Sequence, residues 1–73
     1  MTIGQSIRTI REEKGYSRQR LVNKSKVPYY SIRAWEKDIC IPNILSMIDI
    51  ADALGVSLDE LVGRKMEDNQ NDT

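Results

Sequence analysis

Isoleucines at positions 3, 7 and 10 recur at i, i+4 and i+7 through IGQSIRTIREEKG, with polar residues filling most of the gaps. That spacing predicts a helix with one apolar face, stopped by Gly15. Ser17 then offers an N-cap for RQRLVNKS, whose apolar residues are Leu21 and Val22. The next break is KVP at 26–28, and proline is tolerated in a first helical turn because its missing N–H would be unpaired there. The spacing therefore predicts a third helix from Pro28 to about Lys37, with Ile32 and Trp35 facing inward. After DICIPN, Asn43 caps a fourth helix, ILSMIDIADAL, whose apolar set Ile44, Met47, Ile48, Ala51 and Leu54 keeps a 3.6-residue period. Gly55 suits the left-handed position that ends it. A fifth helix, SLDELVG, opens with Ser57 three residues before Glu60, a capping box. No strand pattern competes, so the chain is read as all-α, five short helices in a compact bundle.

At 73 residues the chain has room for one small domain. Residues 1–63 are assigned to it, and 64–73, with one apolar residue, to an acidic and polar tail expected to be disordered. No apolar run approaches the roughly 20 residues that span a bilayer, and MTIGQSIR lacks the apolar stretch of a secretory signal. Cys40 is the single cysteine and there is no histidine. An intrachain disulfide and a structural zinc site, which normally takes about four such ligands, are both unsupported. A reducing cytosol is the expected compartment. An enzyme is the poorest reading, with no glycine-rich phosphate loop, no cofactor motif and no nucleophile beside an evident base.

Charge changes the picture. The chain is neutral overall, but residues 1–37 hold nine cations against three anions and residues 38–73 hold two against eight. A basic half beside an acidic half suggests that one end meets a polyanion.

Helices of about eight residues must be held by packing, and two of them joined by the short break Ser25 to Val27 make a helix-turn-helix candidate. LVNKSKVPYYSIRAWEKD, then Pro42, then IADALGVSLDELVG, resembles the Cro/cI-type helix-turn-helix family, also called the XRE family. The similarity covers roughly residues 4–63. It implies a lambda-repressor-like five-helix domain that binds double-stranded DNA, with the third helix in the major groove and the start of the second against the phosphate backbone. It also implies a transcriptional regulator, most often a repressor, in a bacterial or phage-like cytoplasm.

With Ile32 and Trp35 turned inward, Tyr29, Tyr30, Arg33 and Lys37 fall on other faces. Residues near the start of a recognition helix read base edges, and Arg33 can donate two hydrogen bonds to a guanine. The resemblance places recognition positions at Tyr29, Tyr30 and Ala34, the last limited to a methyl contact. Ser17, Arg18 and Lys37 are the expected phosphate contacts, Arg18 at a family position that often holds one. The same resemblance implies a partly buried ion pair between Arg11 and Glu36, tying the first helix to the third as scaffold. Arg20 and Lys24 read as a solvated basic face.

Three residues depart from the family pattern. Lys26 stands at a turn position that is commonly glycine, Pro28 replaces a Ser or Thr cap, and Asp38 follows Trp-Glu-x where glycine is frequent. Ile39, Ile41 and Leu45 lie outside the fourth helix's apolar set and form a candidate self-association patch, so a homodimer is expected. The competing reading is a protein-interaction or antitoxin-like module in which the acidic fourth and fifth helices bind a protein. A DNA reader should bind random duplex at low salt and weaken steeply as salt rises; an adaptor should not.

Overall fold

The structure is a computed structural model, and it describes residues 2–62. Five helices follow one another: α1 (Ile3–Glu13), α2 (Arg18–Ser25), α3 (Tyr29–Glu36), α4 (Ile44–Leu54) and α5 (Leu58–Val62), with no strand among the described residues. The tail assigned to 64–73 lies outside them.

Each helix start is fixed by the side chain the sequence offers. Thr2 and Gln5 form a reciprocal capping box on α1. Ser17 and Asn43 accept from the backbone N–H groups of Arg20 and Ser46, at 3.0 and 2.9 Å. Ser57 and Glu60 close the predicted box on α5. Such caps satisfy donors that have no partner within the helix. The exception is α3. Pro28 is its N-cap rather than its first helical residue, with φ −60° and no side-chain hydrogen bond, so a preset backbone replaces a cap.

The helix ends explain two of the three departures. Lys26 takes φ 65° at the end of α2 and Asp38 takes φ 61° just after α3. Both are left-handed conformations that cost an L-residue with a side chain roughly 1–2 kcal/mol. At α3 the return is a Schellman closure, in which the Asp38 and Ile39 N–H groups donate to the carbonyls of Trp35 and Ala34.

Ile7, Leu21, Ile32, Ile50 and Leu61 are fully buried, one from each helix, and Val27, Trp35, Ala51 and Leu54 complete the core. α1 packs against α3, α4 and α5, while α2 packs against α3 and α4. Gly4 carries the α1–α3 crossing, since a Cβ there would run into the Trp35 carbonyl oxygen.

One face was misassigned. Ile44 and Ile48, expected inward, are exposed, and Ile50, left out of the apolar set, is sealed. The inward side of α4 runs through Met47, Ile50, Ala51 and Leu54, which has the same helical period rotated by part of a turn.

Candidate nucleic-acid interface

α3 is anchored by Ile32, Trp35 and the buried Glu36, and Tyr29, Tyr30 and Arg33 face solvent. Tyr30 is 74% exposed and Tyr29 42%, unusual for rings this large in so small a domain. Arg33 and Lys37 are exposed as well, and neither makes an ion pair among the described residues. Ala34 is half-buried beside them. Three of the residues singled out for base contact, Tyr29, Tyr30 and Arg33, thus lie on the outer side of one eight-residue helix, and Lys37, singled out for a phosphate, is its exposed C-cap.

Ser17 sits exposed at the start of α2, beside Arg18. Its oxygen accepts from the Arg20 N–H, which leaves the hydroxyl proton to donate elsewhere.

Arg18 is placed differently from a free surface cation. Its Nε donates to Glu36 Oε1 at 2.8 Å, and its side chain is 28% exposed. Arg11 approaches the same carboxylate from α1, giving Nε to Oε2 at 2.7 Å and an Nη to Oε1 at 3.1 Å. Its other Nη donates to the Tyr16 carbonyl at 2.7 Å. The anticipated Arg11–Glu36 pair is therefore one limb of a triad that ties α1, α2 and α3 together around a carboxylate with no exposed surface. No buried side-chain polar atom among the described residues lacks a partner. The hydrogen bond Arg18 donates to Glu36, followed by one to Tyr29, raises the Arg18 pKa above its ordinary value against a smaller opposing effect of burial. Arg18 thus remains a cation while bonded to the last residue of α3.

On the next face of α2, the Arg20 guanidinium and the Lys24 ammonium lie 4.7 and 5.6 Å from the centre of the Tyr16 ring. These are cation–π distances, and both exposed side chains lie over the Tyr16 ring. Lys24 also lines an open groove of about 420 Å³ with Ser25, Asp49, Asp52 and Ala53, a mixed-charge cleft between α2 and α4.

A family model for the Cro/cI-type (XRE) helix-turn-helix matches residues 7–61, most of the chain and all of α2 and α3. The chain belongs to the Cro/cI-type helix-turn-helix family. Its domain is accordingly of the DNA-binding, transcription-regulator type, in a family that is not typically enzymatic. No curated protein and no solved structure matches the chain. Among the described residues no helix is long and apolar enough to cross a membrane, and no cluster of ligating side chains could hold a metal ion.

The helix-turn-helix also has a second exposed surface. Ile39 (69% exposed), Ile41 (79%) and Leu45 (70%) are as open as the sequence reading supposed. Ile44 and Ile48 join them, so five of the seven large exposed apolar residues among the described residues fall within positions 39–48. The reading missed those two because the α4 face was drawn a fraction of a turn away. It missed the Arg18–Glu36 contact because nothing in the local pattern joins residues 18 positions apart.

Proposed function

We propose that this helix-turn-helix domain is a sequence-specific repressor that lays α3 in the major groove of duplex DNA. The observation that carries the reading is the display on α3: Tyr29, Tyr30 and Arg33 project from a helix whose opposite side is locked by Ile32 and Trp35. Arg33 reads a guanine edge through two hydrogen bonds. The tyrosines supply hydroxyl donors and ring edges for a base or a thymine methyl, and Ala34 adds an apolar contact. Ser17, Arg18 and Lys37 flank this row and take phosphates, which position the helix without reading sequence. Repression follows from occupancy alone, since a domain filling the groove excludes other proteins from the same site. The compartment is the one that holds the DNA, a bacterial or phage-like cytoplasm.

The active form is a homodimer joined through the aliphatic face of Ile39, Ile41 and Leu45, extended by Ile44 and Ile48. Contiguous exposed apolar surface of this kind marks a contact, and a twofold pair suits two half-sites about one helical turn apart. Selection of bound sites from a random duplex library tests the whole reading. A two-fold symmetric consensus, with affinity that falls steeply as salt rises, is the expected result. Recovery of no enriched sequence, with no salt-sensitive binding to any duplex, would overturn it in favour of a protein-binding module.

A further inference from the structure

We propose that Glu36 is a positioning residue for DNA: by holding the Nε of Arg18 it aims the outer edge of that guanidinium at a phosphate beside the start of α2. The proposal rests on the DNA-binding reading above and adds a residue whose place in the fold looks purely structural.

The geometry supplies the reason. Glu36 has no exposed side-chain surface, and Arg11 already engages both its oxygens. One guanidinium balances the buried charge. The second, from Arg18, is not needed for neutrality and leaves the triad with a net positive charge. Arg18 attaches to Glu36 through Nε alone, at 2.8 Å. A guanidinium that donates through Nε keeps the edge formed by its two Nη groups pointing elsewhere, and five N–H donors in one plane allow two edges to bond at once. The side chain is partly exposed, and it belongs to the first residue of α2, next to the Ser17 cap. An exposed arginine ordinarily loses rotamer freedom when it grips a phosphate. Here that ordering has already occurred in the free domain, which is the physical content of preorganisation. Lysine at this position would keep the charge but could not sit on a carboxylate and a phosphate through opposite edges of one plane.

The experiment compares wild-type protein with R18K, R18Q and E36Q, using the Arg18 Nε–H resonance by NMR and the binding of duplexes of several sequences across a salt series. In wild type the Nε–H should exchange slowly with water, both free and saturated with duplex. R18K should bind every duplex about tenfold more weakly with an unchanged salt slope, and R18Q should also flatten that slope by about 0.9. E36Q, where it folds, should speed exchange of the Nε–H and weaken all duplexes alike. Should E36Q not fold, R18K carries the test, since Arg11 still pairs with Glu36. Binding of R18K equal to wild type, or a rapidly exchanging Nε–H in the free protein, would overturn the proposal. Wild-type protein that binds no duplex at about 50 mM salt would instead overturn the DNA reading and the phosphate role with it. That failure is recognisable because the Nε–H would still be protected.

Discussion

Arg11 and Arg18 reach the same oxygen of Glu36 from different helices, at 3.1 and 2.8 Å. The two arginines are not equivalent. Arg11 is buried and spends its donors inside the domain, on Glu36 and on the Tyr16 carbonyl. Arg18 is partly exposed and sits at the lip of the basic face. Removing Arg11 should therefore damage the fold more than removing Arg18. Arg11→Ala is expected to cost about 3–5 kcal/mol, the penalty for stripping a partner from a buried charge. Arg18→Ala should cost less, about 1.5–3 kcal/mol, the range of one hydrogen bond to a charged group, because the buried carboxylate keeps Arg11. Urea denaturation of the two variants checks the ranking; equal losses would contradict it.

Lys26 gives a prediction of opposite sign. Its φ of 65° closes α2, and glycine adopts that conformation without the side-chain clash. Lys26→Gly should raise stability by about 1 kcal/mol, or roughly 4–8 °C in Tm for a domain this small. A scanning calorimetry trace with an unchanged or lower Tm would show that the strain is relieved by other means.

The two sides of α4 separate self-association from folding. Ile50→Ala empties a sealed core position and should destabilise by about 2–5 kcal/mol. Leu45→Asp changes a residue that is 70% exposed, so the monomer's stability should stay within about 0.5 kcal/mol. Sedimentation at tens of micromolar should find wild type as a dimer and Leu45→Asp as a monomer. A monomeric wild type would remove the aliphatic face from the account of assembly.

On α3, Arg33→Ala should relax preference at one base pair by about 1–3 kcal/mol while leaving the others intact. Sequencing of selected duplexes reads this directly. Loss spread evenly over all positions would mean that Arg33 touches phosphate instead.

Much of the fold was legible because short helices are punctuated chemically. Asn43, Ser57 with Glu60, and Gly55 each have one geometry that suits them, and the structure uses it. Burial was harder to read on α4, where apolar residues cover most of the circumference. Both Ile44–Met47–Ile48–Ala51 and Met47–Ile50–Ala51–Leu54 satisfy a helical period, and only packing by α1, α2 and α5 decides between them. The outward row on α3 was accessible because Ile32 and Trp35 are the sole large apolar pair that can anchor that segment. Arg18 was read as a phosphate contact without its acid partner, because Glu36 comes from a different helix and the distance between helices is not written in any local spacing.

Gly4 has a consequence for how this architecture can change. The backbone of the first helix rests directly on the Trp35 carbonyl, with no space for even a methyl group. Any larger residue would act as a wedge under the neighbouring helix and tip it. The angle at which the tyrosine-bearing rod leaves the body is thus governed by missing atoms, so drift at position 4 would re-aim the rod abruptly rather than by degrees.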